Sequence, residues 1–270
     1  MTQTPRQPAH SIRLTLIGGP TAVLDYAGAR ILLDPTFSPP GRYQSSTGAQ
    51  LTKTEGPALS VEEVGEVDLV LLSHDQHPDN LDPAGRALLP GVPAVLTTTD
   101  GADRLGLDNA RGIESWQHID VVCAEGQVIR VTGLPATHGP DGVIRPDGTV
   151  TGFLLEADDA PRVYVSGDNA SVATVREIVA RLGTVDIAVL FAGAARTGAF
   201  DNAALTLTAA SAVEVADVLG ARAVLPVHDS GWTHFTETIE DLKSAFAASA
   251  SAELIVPVPG EDVEVPLIQR

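Results

Sequence analysis

Four side chains that can bind a metal ion lie within eight consecutive residues, 73–80, which read Ser-His-Asp-Gln-His-Pro-Asp-Asn. They are His74, Asp75, His77 and Asp79. Imidazole and carboxylate together suit a borderline divalent metal such as zinc. A polar, solvated loop with two incidental histidines is the alternative, and this segment alone does not exclude it.

A predicted strand and a predicted helix flank this segment. The apolar run at residues 67–72 is typical of a buried strand. Asp82 and Pro83 predict a helix start, with Asp as the N-cap and Pro at the first helical position. The segment is therefore a strand-to-helix loop, and such loops at the edge of a sheet often carry functional residues.

Three further polar clusters follow predicted strands, and each contributes one potential ligand: His138, Asp168 and His228. His138 is predicted to follow the strand at residues 128–132 after a short turn. Any one cluster is weak evidence, because His and Asp at strand ends often only cap or hydrogen-bond a loop. Five of the seven histidines nevertheless lie in these loops or in the adjoining segment with His234. This distribution favours convergence on one site.

The apolar pattern elsewhere predicts a mixed α/β fold. The chain begins with a meander of short strands, and its second half alternates amphipathic helices with buried strands. This order predicts an α/β sandwich in which helices cover two packed sheets. Helices are predicted at residues 84–89, 100–105, 171–182, 208–219 and 235–248. Strands are predicted at residues 12–17, 22–26, 30–33, 67–72, 94–98, 121–124, 128–132, 152–156, 162–166, 186–191 and 223–227.

Residues 38–60 are rich in Pro, Gly, Ser and Thr and show no periodicity. A structureless connection of this length inside a compact domain is usually a functional lid or is disordered. We expect it to flank the site and to gate it. Lys53 in this stretch, and Arg145 and Arg196 in other loops, are cations that could meet an anionic substrate, although such side chains are more often only solvated.

Composition and charge restrict the class of protein. The 270 residues carry a net charge of −18, from 17 basic and 35 acidic side chains. Because nucleic-acid binding relies on neutralising phosphates with Lys and Arg, no broad nucleic-acid surface is expected. No apolar run reaches the length of a membrane span. The single cysteine, Cys123, excludes an internal disulfide and a Cys-based zinc knuckle.

The polar residues 1–10 lack the basic start and apolar stretch of a signal peptide, which predicts a loose N-terminal tail on a cytoplasmic protein. Residues 11–270 show no repeat and no clear linker, which predicts a single domain. A small-molecule substrate is the expected partner, with neither nucleic acid nor a membrane. The sequence leaves open whether the chain forms a homo-oligomer.

The ordered motifs resemble the metallo-β-lactamase superfamily, whose first motif is His-x-His-x-Asp-His, followed by a lone His, a lone Asp after Ser-Gly and a final His. The resemblance covers nearly the whole chain, from the opening meander, with Leu-Asp-Pro-Thr-Phe at residues 33–37, to His228. Leu-Leu-Ser-His ending at His74 and Gly-Trp-Thr-His-Phe at residues 231–235 are similar to the branch containing L-ascorbate-6-phosphate lactonase. The resemblance implies a four-layer αββα sandwich with one or two metals at the sheet edge.

The first motif departs from the family pattern by one extra residue. Counted from the strand, His74 matches the first His, and Gln76 falls where the second belongs. Counted from the helix, Asp79 matches the Asp, and Asn80 replaces the last His. The resemblance therefore implies His77 as the substitute for the second His. The later motifs match directly at His138, Asp168 and His228.

The matched residues would form two adjoining metal sites. Three neutral imidazoles with an open position make a zinc site able to hold hydroxide. These imidazoles would be His74, His77 and His138. Asp168 could bridge to a second ion, which Asp79 and His228 would also bind. Because Asn80 replaces a His there, the second site should be weaker, and its carboxylates could favour manganese over zinc.

The expected function is metal-dependent hydrolysis. A metal-bound hydroxide would attack an ester, lactone, amide or phosphodiester of a small molecule. If the second site is empty, Asp79 would position or deprotonate the water. His234, beside Trp232, could contact substrate, act as an acid or fill the position that Asn80 leaves, or it could instead cap a helix beginning near Phe235. No Gly-x-Ser-x-Gly nucleophile elbow is present.

Two other classes remain as alternatives. A non-catalytic binding protein with a degenerate metal site is favoured by Gln76 and Asn80. A di-iron redox protein on the same fold would need a partner flavin domain, for which 270 residues leave no room.

The two departures from the motif predict unequal metal binding. Calorimetric titration should show one tight equivalent and a second that is weak or absent, because a neutral amide oxygen is a poorer zinc ligand than imidazole. Asn80→His should strengthen binding of the second metal ion. Gln76→His should change metal binding less, because His77 already takes the place of the second His of the motif. Tight, equal binding of two ions by the unmodified chain would contradict this expectation.

Overall fold

The strands pair into two seven-stranded sheets and one two-stranded hairpin in the computed structural model, which describes residues 12–46, 48–123, 126–142, 149–249 and 251–265. The strands, in chain order, are β1 (Ile12–Gly18), β2 (Thr21–Tyr26), β3 (Ala29–Leu33), β4 (Gly41–Gln44), β5 (Gln50–Lys53), β6 (Leu69–Leu71), β7 (Val95–Thr97), β8 (Ala110–Gly112), β9 (His118–Val122), β10 (Val128–Ala136), β11 (Val150–Glu156), β12 (Val163–Val165), β13 (Ile187–Phe191), β14 (Ala223–Val227), β15 (Glu253–Leu254) and β16 (Asp262–Val265).

Both sheets combine antiparallel and parallel pairs. The first sheet has the order β16-β1-β2-β3-β6-β7-β8 and becomes parallel from β3 onward. The second has the order β15-β14-β13-β12-β11-β10-β9, and its parallel half runs from β12 to β15. Parallel strands must be connected by a crossover, which is usually a helix, and this is why helices follow the parallel strands.

Six α-helices and two 3-10 helices (Leu89–Gly91 and Phe200–Asn202) complete the described fold. The α-helices are α1 (Val61–Val64), α2 (Pro83–Leu88), α3 (Thr99–Leu105), α4 (Val172–Leu182), α5 (Ala209–Leu219) and α6 (Ile239–Ser249). Apolar residues of α1, α2 and α3 pack on the outer face of the first sheet. Those of α4, α5 and α6 pack on the outer face of the second sheet. The predicted four-layer αββα sandwich is therefore confirmed.

Strand β13 shows why the central strands read as continuous apolar runs. Ile187, Val189 and Phe191 belong to the core between the sheets. Ala188 and Leu190 belong to the core under the helices. Because successive side chains of a strand point to opposite faces, a strand covered on both faces needs apolar residues at every position.

The structure corrects three element predictions. Residues 38–60 are not structureless, because they contain the hairpin β4–β5. Strand β10 continues to Ala136, so no turn separates it from Thr137. The helix predicted at residues 235–248 begins at Ile239. Residues 1–10 and Arg145 lie outside the described residues.

Asp82, the predicted N-cap of α2, also anchors the base of the hairpin. Its fully buried carboxylate accepts hydrogen bonds from the backbone N–H of Phe37 at 3.0 Å, Ser38 at 2.7 Å and Gly85 at 2.8 Å. Lys53 Nζ donates to Asp82 Oδ2 at 3.1 Å and to a backbone oxygen. Lys53 is 4% exposed, so the idea that it meets an anionic substrate is wrong.

None of the helices in the described ranges has the length and apolar character needed to cross a bilayer.

Replacing the Asp82 carboxylate should destabilise the fold far more than removing an ordinary helix cap. We expect Asp82→Ala to lower the free energy of unfolding by about 3 kcal/mol or more, because Lys53 is left charged and buried without its partner. The matched control is Ser60→Ala, which removes the N-cap of α1 and should cost about 1 kcal/mol. Urea unfolding measures both, and equal losses would contradict the anchoring role.

Candidate metal centre

Loops at the ends of strands from both sheets converge on one place. His74 follows β6 of the first sheet, whereas His138, Asp168 and His228 follow β10, β12 and β14 of the second. Gly193, just past β13, permits this convergence, because a Cβ there would lie 2.2 Å from the carbonyl oxygen of His228. The strand ends thus bring together residues that are up to 154 positions apart in the chain.

The first group of potential ligands contains His74, His77, His138 and Asp168, each with one ligand atom within 4.8 Å of the others. His74 Nε2 lies 2.9 Å from His77 Nδ1 and 3.9 Å from Asp168 Oδ2. His138 Nδ1 lies 3.7 Å from the same carboxylate oxygen and 2.8 Å from the carbonyl oxygen of Leu205. The register that assigns His77 to this group is consistent with these distances.

The second group contains Asp79, Asp168 and His228, again with ligand atoms within 4.8 Å. His228 Nε2 lies 3.3 Å from Asp79 Oδ2 and 3.5 Å from Asp168 Oδ1. Asp168 therefore belongs to both groups. His228 has a φ of 60°, a left-handed conformation that is strained for a residue with a Cβ and that concentrates at functional sites.

His234 extends the second group through Asp79 alone. Its Nε2 lies 2.9 Å from Asp79 Oδ2, whereas Asp168 and His228 do not share a common ligand sphere with it. The reading of His234 as a helix cap is wrong, because α6 begins five residues later at Ile239. The side chain lines the cleft and contacts a carboxylate of the site.

The unsatisfied atoms of the second group fit a cation. Asp79 Oδ1 and both ring nitrogens of His228 are buried, and the described residues give them no hydrogen-bond partner. A buried polar atom without a partner is costly and rare in native proteins. A divalent ion between the carboxylates and the imidazole would satisfy Asp79 Oδ1 and one ring nitrogen of His228, and the mixed nitrogen and oxygen donor set suits zinc or manganese.

Asp34 lies next to both ligand groups and supports them through hydrogen bonds, a role that the sequence patterns did not predict. Its buried carboxylate accepts hydrogen bonds from Ser73 N at 2.6 Å and Ser73 Oγ at 2.5 Å, and the same hydroxyl lies 3.0 Å from His74 Nδ1. Asn80 Nδ2 donates to Asp34 Oδ2 at 2.9 Å and to Asp168 Oδ1 at 3.1 Å. The Leu-Asp-Pro segment at the end of β3 is the sequence signal that could have identified Asp34.

Asn80 is thus more than a lost ligand. Three oxygen atoms surround its Nδ2, because Ser73 Oγ lies 3.4 Å away in addition to the two carboxylates. These three contacts assign the orientation of the amide. If Oδ1 occupied the position of Nδ2, an acceptor would face three acceptors. The amide connects Asp34 with Asp168, and it fixes the carboxylate that both ligand groups share.

Burial and neighbouring charges set the protonation of the site. Burial, with the proximity of His77 and His138, holds the pKa of His74 well below its usual value. Burial opposes ionisation of Asp79, but His234 and His228 lower its pKa well below the usual range. Burial raises the pKa of Asp34 to about 7, although hydrogen bonds from Ser73 and Asn80 oppose the shift. His74 is therefore neutral and Asp79 ionised, the forms that bind metals.

Asp75, the remaining carboxylate of the first motif, has a different partner. Arg104 Nη2 lies 2.6 Å from Asp75 Oδ1, and Arg86 Nη2 lies 3.6 Å from Asp75 Oδ2. The next residue, Gln76, accepts hydrogen bonds on its carbonyl oxygen from the hydroxyls of Ser45 and Ser46, both at 3.1 Å. Asp75 therefore ties the motif to α3 through Arg104, and Gln76 ties it to the hairpin.

A cleft of roughly 560 Å³ opens onto the site. Most of its lining residues come from the hairpin, the first motif and the loop after β13, and they are Ser46, Ala49, Leu51, Gln76, His77, Asp79, Ala195, Thr197, Ala199, Phe200 and Leu205. Arg104 of α3, His138 after β10 and His234 after β14 complete the lining. The expectation that residues 38–60 flank the site agrees with this lining, while gating stays a prediction. Arg196 does not line the cleft. Its guanidinium instead donates to the carbonyl oxygen of Asn202 at 2.6 Å.

The assignment of His77 predicts a selective loss of metal. His77→Ala should weaken binding of the first ion by more than about 100-fold, since even substitutions outside the ligand shell cost about 10–100-fold. His118→Ala, on the exposed side of β9, is the matched control and should retain full binding. Metal analysis after dialysis measures both, and equal metal content in the two variants would show that the register is wrong.

The comparisons with known proteins identify the family. A family model described as beta-lactamase superfamily domain matches residues 29–228. A protein named metal-dependent hydrolase from Pelotomaculum thermopropionicum is 28% identical over 260 residues, which cover 94% of this chain and 100% of that protein. The narrower resemblance to L-ascorbate-6-phosphate lactonase stays a prediction.

Two solved structures show the same fold. Isothiocyanate hydrolase from Delia radicum gut bacteria superposes with a TM-score of 0.76 at 21% identity, covering 93% of this chain and 98% of that one. A possible metal-dependent hydrolase from Veillonella parvula superposes with a TM-score of 0.77 at 18% identity, covering 94% and 99%. Since the family match spans well over half of its residues, this chain belongs to the β-lactamase superfamily.

Proposed function

We propose that the protein is a metal-dependent hydrolase of small molecules. The observation that carries this proposal is the pair of adjoining ligand groups, joined by Asp168, at the floor of an open cleft. The name of the Pelotomaculum relative, a metal-dependent hydrolase of similar length, supports it. Esters, lactones, amides and phosphodiesters are the bond classes that such a centre can hydrolyse.

The ligand assignment follows the two groups. The first ion would be held by His74, His77, His138 and Asp168, and the second by Asp79, Asp168 and His228. When bound, the metal supplies Lewis acidity that activates water and stabilises negative charge developing on the substrate. Zinc suits the imidazole-rich first group, and manganese is an alternative for the carboxylate-rich second group.

Asp79 and His234 are proposed to handle the proton. Asp79 is ionised, lines the cleft and contacts His234 at 2.9 Å. It can orient the attacking water or accept its proton. His234 also lines the cleft, and through its contact with Asp79 it can stabilise the carboxylate and return a proton to the leaving group.

A non-catalytic binding protein is the less supported alternative. That hypothesis depended on Gln76 and Asn80 having replaced ligands. His77 lies within the first ligand group, and Asn80 donates to the shared carboxylate of Asp168, so neither departure leaves a collapsed site. The small-molecule nature of the substrate is proposed from the size of the cleft, roughly 560 Å³, which His77, Asp79 and His138 line.

Metal removal and reloading test the proposed function. The metal-depleted chain, reloaded with zinc or manganese, is assayed on 4-nitrophenyl esters, simple lactones, anilides and bis(4-nitrophenyl) phosphate. Turnover of at least one class should appear on reloading. His138→Ala should lower kcat/KM by about 100-fold or more, whereas His118→Ala should not. If the chain binds stoichiometric metal but turns over no substrate class, the binding-protein alternative is favoured. Turnover that does not depend on metal would overturn the proposed metal-dependent mechanism.

A further inference from the structure

We propose that Phe200, held by a strained turn on the cleft wall, selects neutral substrates whose acyl group is apolar, either aliphatic or aryl. This inference rests on the proposed hydrolytic function for its kinetic consequences. It concerns the cleft beyond the metal ligands, where Phe200 is the largest apolar lining residue.

The backbone of this turn is unusual. Phe200, Asp201 and Asn202 have φ values of 50°, 54° and 61°. The left-handed region is unfavourable for residues with a Cβ, and for an aromatic residue it is a clear outlier. Strain of this kind persists only where surrounding contacts enforce it, and it concentrates where a side chain must be aimed at a ligand. Asp and Asn adopt this region more readily than other residues with a Cβ, so Phe200 is the one of the three that is held against its local preference.

Specific hydrogen bonds hold the turn in place. Arg196 Nη1 donates to the carbonyl oxygen of Asn202 at 2.6 Å, and Arg196 Nε donates to Thr236 Oγ1 at 3.3 Å. Within the turn, the N–H of Ala203 donates to the carbonyl oxygen of Phe200 at 3.1 Å. Arg196 is therefore a positioning residue, because it joins the turn to the segment that precedes α6.

The base of the turn is also bonded to two histidines of the site. The N–H of Arg196 donates to the carbonyl oxygen of His234 at 2.8 Å. The carbonyl oxygen of Leu205 lies 2.8 Å from His138 Nδ1, and the N–H of Leu205 donates to Ala195 at 2.8 Å. The position of Phe200 is thereby fixed relative to the reacting centre, as a specificity-determining side chain requires.

Two segments contribute further apolar residues to the lining of the cleft. Ala195, Ala199 and Leu205 come from the same segment of chain as Phe200, and Ala49 and Leu51 come from the hairpin. Apolar surface of this kind favours apolar ligand groups, and an aromatic ring adds offset or edge-to-face stacking with aryl groups.

The charges around the cleft argue for a neutral substrate. Arg104 is the one Lys or Arg among the residues described as lining the cleft. Both its Nε and its Nη2 donate to the carboxylate of Asp75, at 3.1 Å and 2.6 Å. This pairing leaves little positive charge for an anionic group away from the metal centre, so a phosphorylated sugar acid does not match the lining.

The test compares acyl chains on the zinc-reloaded protein. The unmodified chain should prefer 4-nitrophenyl hexanoate to the acetate in kcat/KM by roughly tenfold or more, since each buried methylene contributes about three- to fourfold. Phe200→Ala should reduce this preference by about tenfold, mainly by raising KM for the hexanoate. Phe200→Leu should retain most of the preference for the hexanoate. Arg196→Ala should reduce this preference, as Phe200→Ala does.

Asp201→Gly is the matched control, because it lies in the same turn with its side chain exposed and glycine adopts positive φ without strain. It should leave the hexanoate-to-acetate ratio unchanged. A ratio that Phe200→Ala leaves intact would overturn the proposal. So would faster turnover of bis(4-nitrophenyl) phosphate than of the hexanoate.

A binding measurement separates this inference from the proposed function. Calorimetric titration of the zinc-loaded chain with heptan-2-one and butan-2-one uses neutral ligands that cannot be hydrolysed. Tighter binding of heptan-2-one, weakened about tenfold in Phe200→Ala, would support the apolar selection even if no ester is turned over. Equal binding of both ketones in both variants would overturn the selection even if hydrolysis is observed.

Discussion

A buried carboxylate must be surrounded by donors, and two of those buried at the sheet edge, Asp34 and Asp82, organise the loops around the site. Removing a charge from water is costly unless hydrogen bonds or an opposite charge replace the water. Asp82 meets this requirement with three backbone N–H groups and Lys53. Asp34 meets it with the N–H and hydroxyl of Ser73 and the amide of Asn80. Each carboxylate thereby fixes two or more segments of chain in one geometry.

The candidate metal centre depends directly on the donors of Asp34. The Ser73 hydroxyl connects Asp34 to His74 Nδ1, and the Asn80 amide connects it to Asp168. Contacts of this kind orient metal-binding side chains and tune their basicity. The pKa directions agree, because burial keeps His74 neutral while His234 and His228 keep Asp79 ionised. Asp34, Ser73 and Asn80, which belong to neither ligand group, therefore help to position the candidate ligands.

The hairpin β4–β5 and the turn at Phe200 give the cleft its shape. The hairpin is fixed at its base by the Lys53–Asp82 ion pair and near its tip by hydrogen bonds to Gln76. The turn is fixed by Arg196 and by Leu205. Both elements thus bring apolar side chains next to the ligand groups, while their own polar groups are satisfied elsewhere. This separation lets a metal centre and an apolar binding surface share one cavity.

The sequence by itself determined the layers and the main ligand candidates. Period-two and continuous apolar runs are local signals of strands, and a polar residue after such a run marks the edge of a sheet. His74, Asp168 and His228 could be found in this way. The tertiary structure alone decided the partners of Lys53, Asn80 and His234. Each partner lies 29 to 155 residues away in the chain, and no local pattern encodes which buried carboxylate a given donor will meet. That choice depends on how the two sheets pack, and the charge balance of the packed edge then determines which contacts are stable.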